Sequence, residues 1–186
     1  FRDLSALELG RRVVAELLAR MPCDKSEVEQ LVFGQVLPSV HAPNIAREIV
    51  LGTGLSPRTE AYSVSRACAT SYQSVVSLAE AILAGSVRAG VAGGADSASD
   101  VPITVGRKLA AALLALSKAR SLPDKAKILA GLRPGDLLPV PPAVKEPSTG
   151  RSMGEHAEDM AKDHGIPRAE QDAFALRSQQ RAAAAW

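Results

Sequence analysis

The sequence predicts an α/β fold. Short runs rich in β-branched and apolar residues alternate with segments of helical periodicity, which is the pattern of strands joined by helices. The composition agrees with this class, because 46% of the residues are hydrophobic and only 3% are aromatic. A chain of 186 residues is long enough to form one domain with a sizeable core, or one domain with an additional segment outside that core.

Charge and composition exclude several classes of protein. The net charge is only +2, with 22 basic and 20 acidic residues and no long basic block, so nucleic-acid binding has no support. No apolar run reaches the length of a transmembrane helix, and the first residues do not resemble a secretory leader. The three histidines and two cysteines lack the spacing of zinc ligands, so we predict no metal site. Two cysteines in dissimilar contexts favour a reducing, cytoplasmic location.

The first element is predicted to be a helix that runs to about Arg20. Ser5 is placed to cap it, with Glu8 as the capping-box partner. Five aliphatic residues are expected on its buried side: Leu9, Val13, Val14, Leu17 and Leu18. Because α/β domains usually open with a strand, we expect a first strand that this chain lacks.

A strand over residues 31–34 and a short helix follow. Asn44 is the expected N-cap of that helix, and Gly52 is expected to close it. Cys23 lies in the loop before this strand, beside Pro22 and Asp24, and we interpret it as structural or incidental. His41 lies in a loop as a lone histidine, which is more often solvated than catalytic.

A strand over residues 59–65 leads into Cys68, and a helix that Gly85 is placed to end follows directly. We expect this helix to be largely buried, with apolar positions at Val75, Val76, Leu78, Ala79, Ile82 and Leu83. Cys68 would then lie at the positive end of the helix, where a thiolate is stabilised and becomes a nucleophile. Position and spacing alone leave a buried structural cysteine equally open.

The next strand ends in Gly93 and Gly94. The pair lacks the G-x-G-x-x-G spacing of a dinucleotide-binding loop, and no helix follows it. A close approach of the backbone to the Cys68 helix is therefore the favoured interpretation.

The pattern changes between residues 100 and 150. One helix is predicted over residues 104–120, followed by an irregular, proline-rich piece. Arg107, Lys108, Lys118 and Arg120 lie on this helix, which suggests an inserted cap whose basic face suits an anionic, phosphate-bearing substrate. An ordinary solvated helix face is the alternative.

Two helices close the sequence, one over residues 152–164 and one that begins with Pro167 at its first position. No C-cap follows the last helix before Trp186, so we expect the chain to be cut there. The predicted organisation is a core at 1–99, an inserted cap at 100–150 and a return to the core at 151–186.

Several blocks of the sequence belong together: residues 63–68 (SVSRAC) and 91–99 (VAGGADSAS), residues 99–108, residues 152–158 (SMGEHAE) and the helix at 168–186. In this order, and over essentially the whole chain, they resemble the nucleophile region, the start of the loop domain, the returning segment and the following helix of the thiolase family. The most similar branch is the 3-ketoacyl-CoA thiolase (acetyl-CoA acyltransferase) β subunit of the fatty-acid-oxidation trifunctional complex. The resemblance implies a layered α-β-α N-terminal half with an inserted, mostly helical loop domain, without the first strand and the C-terminal half.

The resemblance also implies roles for residues. Cys68 corresponds to the nucleophile that forms the acyl-thioester, with its backbone N–H in the oxyanion hole. Met153 corresponds to a position that lines the pantetheine channel. Ser152 stands where many members carry a histidine, and His156 falls at a different motif position, so it is not given that histidine's role. Ala69-Thr70 replaces the family's small pair, and Ser65 replaces an asparagine.

The implied activity is thiolytic cleavage of 3-ketoacyl-CoA, with coenzyme A as co-substrate and no bound cofactor. The implied partners are a second copy of the chain in a homodimer and a hydratase/dehydrogenase α subunit. In the homodimer, the strand before Cys68 would lie near the dimer interface. The histidine base and second cysteine belong to the other half of a thiolase, so this chain alone is expected to be inactive. A β-ketoacyl synthase-like condensing enzyme and a non-catalytic acyl-CoA-binding protein remain alternatives.

Overall fold

The structure, a computed structural model, describes residues 2–22 and 24–186. It divides into two compact units, Phe1–Pro141 and Pro142–Trp186. The interpretation of Cys23 falls outside the described residues, and the division predicted at residues 99 and 150 stays a prediction.

Ten helices and strands of the first unit are described. They are α1 (Ala6–Arg20), β1 (Gln30–Gly34), α2 (Ile45–Gly52), β2 (Glu60–Val64), α3 (Thr70–Leu83), β3 (Gly90–Gly94), β4 (Thr104–Val105), α4 (Arg107–Lys118), α5 (Leu122–Ala130) and β5 (Pro139–Val140). Short 3-10 turns lie at Lys25–Glu27 and Pro134–Leu137. The second unit contains α6 (Met153–Asp163) and α7 (Arg168–Ala185). None of the described helices is both long enough and apolar enough to cross a membrane.

A parallel three-stranded sheet in the order β2-β1-β3 forms the centre of the first unit. Side chains on one face of β1, including Phe33, pack with buried residues of α1 and α2 such as Val14 and Ile49. The opposite face, which includes Gly34, packs against α3. The predicted α-β-α layering is therefore confirmed.

Side-chain caps begin α1 and α2 where the sequence predicts them. The Ser5 hydroxyl accepts from the Glu8 N–H at 3.3 Å, and the Ser5 N–H donates to the Glu8 carboxylate at 2.8 Å, which lowers the pKa of Glu8. The Asn44 side chain accepts from the Arg47 N–H at 3.1 Å and donates to the carbonyl of Ala61 in β2. This second bond ties the start of α2 to the sheet.

Glycines let α3 lie directly on the sheet. A Cβ added to Gly34 would lie 2.4 Å from Thr70 Cγ2, and one added to Gly94 would lie 2.6 Å from Ser71 Oγ. Neither position has room for a side chain while α3 keeps its place. The expected close approach at the end of β3 is confirmed at Gly94, whereas Gly93 faces the ring of Phe33.

The prediction that α3 is largely buried is wrong for the described chain. A helix on one face of a narrow sheet can bury only the stripe that touches the sheet, and here that stripe is Thr70, Ser74 and Leu78. The large hydrophobic residues Tyr72, Val75, Val76, Ile82 and Leu83 are all exposed. The C-terminus agrees with the prediction, because Gly85 adopts a φ of +73° just after the helix.

The buried side of α1 also differs from its prediction. Its buried residues recur every four positions, at Ala6, Gly10, Val14 and Leu18. Val13 and Leu17, which were expected on the buried side, are 58% and 42% exposed. Gly10 lies against Ile49 of α2 and the ring of Phe33 in β1, so the buried stripe runs through residues 6, 10, 14 and 18 and is narrower than the aliphatic one.

The segment after residue 100 differs from its prediction in two ways. Thr104 and Val105 pair with β5, so α4 begins only at Arg107. A second helix, α5, follows after Ser121, whose hydroxyl accepts from the Asp124 N–H at 3.2 Å. No residue of α4 or α5 is buried, and the β4–β5 pair joins the start of this segment to its end.

The second unit begins α6 with a capping box and α7 with a proline. The Ser152 N–H donates to the Glu155 carboxylate at 2.7 Å, which lowers the pKa of Glu155. Pro167, the predicted first helical residue, is the N-cap of α7, so the helix begins one residue later, at Arg168. Ala161 of α6 is buried, and a groove beside it is lined by residues such as Met160 and Phe174.

We expect Gly34→Ala to lower the free energy of unfolding by about 1–3 kcal/mol, because the new methyl collides with Thr70 and α3 has to shift. Urea unfolding followed by circular dichroism measures the change. Gly106→Ala is the matched control, because Gly106 has a φ of −60° and no atom within 4 Å of the added Cβ. An equal effect of the two substitutions would contradict the close-packing explanation.

Candidate active site

Cys68 lies in the tight turn between β2 and α3, and its side chain is exposed. β2 ends at Val64, whose carbonyl accepts from the Gln35 N–H at 3.1 Å, and α3 begins at Thr70. The turn thus lies at the carboxyl edge of the parallel sheet, where α/β proteins commonly bind ligands. The thiol is therefore not buried by the described residues of this chain.

The backbone of the turn is tightly hydrogen-bonded. The Ala69 N–H donates to the Arg66 carbonyl at 3.0 Å, and the Thr70 N–H donates to the Ala67 carbonyl at 3.2 Å. Ala67 has a φ of +44°, in the left-handed region that residues with a Cβ rarely adopt. This conformation lets the chain reverse from strand to helix just before Cys68.

The Thr70 side chain adds two bonds to this turn. Its hydroxyl accepts from the Arg66 N–H at 2.7 Å and donates to the Ala67 carbonyl at 2.6 Å. Thr70 is only 4% exposed. The Arg66 side chain is also held, because its guanidinium donates to the Gln73 side chain at 2.8 Å.

The start of α3 differs from the starts of the other two helices that cover the sheet. Side chains cap α1 and α2, but no described side chain caps α3, whose N-cap is Ala69. The first N–H groups of an α-helix have no partner within the helix, and they carry the positive end of the helix dipole. Cys68 lies two positions before the first helical residue, next to this end of the helix.

Met153, the other predicted site residue, is the first residue of α6 in the second unit and is 54% exposed. Its proposed role next to the pantetheine channel stays a prediction. His156 lies three residues further on and contacts Glu146 and Thr149, each at 3.2 Å. His41 is an exposed loop residue.

The basic face of α4 is smaller than the sequence suggests. Lys108 pairs with Asp136 at 2.7 Å, and this hydrogen bond, together with one from the Arg133 N–H, lowers the pKa of Asp136. Arg107 and Lys118 are exposed and stand eleven residues apart, or about three helical turns, so they share one side of α4.

Sequence analysis missed two features at the carboxyl edge of the sheet. The Asp96 carboxylate accepts from the Val36 N–H at 2.9 Å and from the Leu37 N–H at 2.8 Å, which ties the loops after β1 and β3 together. A cavity of about 400 Å³ opens beside them, with Gln35, His41 and Asp100 in its lining. The sequence did contain a signal for the Asp96 contact, namely an aspartate just after a strand that ends in glycine.

The fold is that of a thiolase N-terminal domain. The family model described as "Thiolase, N-terminal domain" matches residues 1–186, and the chain therefore belongs to the thiolase family. It is 61% identical to a 3-ketoacyl-CoA thiolase of Erwinia tasmaniensis and 59% identical to one of Escherichia fergusonii. Both comparisons cover 100% of this chain but only 43% of the relative, so the chain spans less than half of their length.

Solved structures agree with this assignment. The Acat5 thiolase of Ascaris suum in complex with coenzyme A superimposes with a TM-score of 0.80 at 26% identity, over 100% of this chain and 44% of that one. The acetyl-CoA acetyltransferase of Bacillus anthracis superimposes with a TM-score of 0.77 over 96% of this chain and 41% of that one. Its sequence identity of 24% makes it evidence for the fold alone.

We expect iodoacetamide to label Cys68 well before Cys23 in the full-length protein, because Cys68 is exposed at an uncapped helix start. Peptide mass spectrometry after short exposures measures both sites in one sample, with Cys23 as the internal reference. Preferential labelling of Cys23 would contradict the assignment.

Proposed function

We propose that this chain is the N-terminal part of a 3-ketoacyl-CoA thiolase and that Cys68 is its nucleophile. The observation that carries the proposal is the exposed thiol in the turn before α3, in a chain that belongs to the thiolase family over residues 1–186. The 61% identity to a 3-ketoacyl-CoA thiolase supports this activity over that of a condensing enzyme of the ketoacyl-synthase kind.

In this mechanism the Cys68 thiolate attacks the 3-keto carbon of the substrate. The bond between C2 and C3 breaks, and its electron pair goes to C2, which takes up a proton to give acetyl-CoA. The acyl group remains on Cys68 as a thioester. The thiol of coenzyme A then loses its proton and attacks the thioester carbon, which releases an acyl-CoA two carbons shorter and restores the Cys68 thiolate.

Two groups of this chain support the reaction. The backbone N–H of Cys68 would donate to the oxyanion of the thioester, where a preorganised donor contributes most to catalysis. Met153 would line the channel of the pantetheine arm. The histidine that ionises the nucleophile and the acid–base cysteine would come from the part of the relatives that this chain does not span.

The exposed cations of α4 support binding of a phosphate-bearing substrate. Arg107 and Lys118 share one side of the helix, and neither forms an ion pair among the described residues. A pair of cations of this kind suits the phosphates of coenzyme A. Residues 100–150 would then act as the inserted cap, which the β4–β5 pair supports by joining its two ends.

We further propose a cytoplasmic enzyme of fatty-acid β-oxidation that works as a homodimer, with a hydratase/dehydrogenase α subunit as partner. A thiol nucleophile has to stay reduced, which favours the cytoplasm. β2, the strand before Cys68, lies at an edge of the sheet, and an edge strand has backbone groups free to pair with a second copy.

We expect Cys68→Ala to lower kcat for 3-ketoacyl-CoA thiolysis by about 10⁶-fold in the full-length protein, as loss of the nucleophile does in covalent catalysis. Cys23→Ser is the matched control and should retain activity. The isolated 186-residue chain should show no thiolysis, because the proposed base lies outside it. Retained activity of Cys68→Ala, or turnover by the isolated chain at the full-length rate, would refute the proposal.

We expect Arg107→Ala and Lys118→Ala each to raise KM for coenzyme A by about two- to fivefold without a change in kcat, the effect of one exposed ion pair. The effect should shrink at high ionic strength because salt screens exposed charges. Arg20→Ala, which removes an exposed arginine of α1 paired with Glu16, is the control. An unchanged KM in both α4 variants would indicate an ordinary solvated face.

A further inference from the structure

We propose that Thr70 is the positioning residue that aims the backbone N–H of Cys68 at the oxyanion. This inference rests on the nucleophilic role proposed above for Cys68. It assigns to Thr70 a contribution to the rate of the reaction beyond its place in the packing of α3.

The Thr70 hydroxyl uses both its donor and its acceptor on the turn that precedes Cys68. It accepts from the Arg66 N–H at 2.7 Å and donates to the Ala67 carbonyl at 2.6 Å. The Ala67 carbonyl also accepts from the Thr70 N–H at 3.2 Å. One residue therefore holds the Ser65–Arg66 and Ala67–Cys68 peptide groups, which bracket Arg66 and the left-handed Ala67.

The planarity of the peptide bond carries this constraint to the nucleophile. The Ala67 carbonyl and the Cys68 N–H belong to the same peptide group, and in a trans peptide they point in opposite directions. No described peptide bond is cis. Because Thr70 fixes the direction of the carbonyl, it also fixes the direction of the N–H, which points away from Thr70.

Thr70 can do this because its own side chain is held from the other side. Its Cγ2 methyl occupies the space that a Cβ at Gly34 would need, and its carbonyl accepts from the buried Ser74 hydroxyl at 3.3 Å. The sheet thus supports Thr70, Thr70 supports the Ala67–Cys68 peptide group, and that group presents the donor. Threonine fits this position because its methyl packs on the sheet while its hydroxyl bonds the turn.

The decisive variant is Thr70→Val in the full-length enzyme, because valine keeps the methyl and the shape but neither donates nor accepts. We expect kcat for thiolysis to fall by about 10²-fold, the effect of misplacing a reacting group by about 1 Å, with KM for coenzyme A unchanged. Thr70→Ser restores the hydroxyl and should recover most of the lost kcat.

Thr59→Val is the matched control. Thr59 is 3% exposed, and its hydroxyl donates to the Val28 carbonyl at 2.9 Å, so this change also deletes a buried threonine–carbonyl hydrogen bond. Its bond joins residues before β1 and β2, at the opposite end of these strands from Cys68. It should lower the free energy of unfolding and leave kcat unchanged.

The proposal is overturned if Thr70→Val loses no more kcat than Thr59→Val, or if Thr70→Ser is as slow as Thr70→Val. If Thr70→Val does not fold, Thr70→Ala and Thr70→Ser are compared in its place, and equal kcat values overturn the proposal. Cys68→Ala in the same assay separates the two proposals. If the Cys68→Ala enzyme is active, the nucleophilic role of Cys68 is refuted. If Cys68→Ala is inactive and Thr70→Val has a normal kcat, only the role of Thr70 is refuted.

Discussion

The close contact between α3 and the glycine-lined face of the sheet is the constraint on which the candidate site depends. Gly34 and Gly94 leave no side chain between the ends of β1 and β3 and the first turn of α3. The helix can then rest its buried stripe, Thr70, Ser74 and Leu78, on the backbone of the sheet. The turn from β2 into α3 has to be short and tight as a result, and Cys68 lies in that turn.

The starts of the helices around the sheet are of two kinds, with and without a side-chain cap. α1 and α2 are capped by Ser5 and Asn44, whose side chains satisfy N–H groups that would otherwise lack partners. α3 starts at Ala69 without such a cap. Stability favours a capped start, so an uncapped start beside an exposed thiol is the arrangement expected where the N–H groups serve an anion instead.

Local chemistry explains which parts of the fold the sequence could predict. The capping box of α1, the Asn44 cap and the end of α3 at Gly85 depend on residues only a few positions apart, and all three were predicted correctly. α5 was missed, although Ser121 and Pro123 form a recognisable helix start, because the proline-rich surroundings suggested an irregular loop. The burial of α3 was overestimated, because periodicity shows which residues could be buried but not how much partner surface the chain provides.

The sequence by itself determined the fold class, the position of Cys68 between a strand and a helix, and the family resemblance. These features are carried by residue order and by spacing along one element. Only the tertiary structure decided that Cys68 is exposed, that Lys108 is neutralised by Asp136 and that Thr70 binds the peptide group before Arg66 and the one after Ala67. Each of these depends on the direction in which a side chain points in the folded chain, and one-dimensional spacing does not contain that direction.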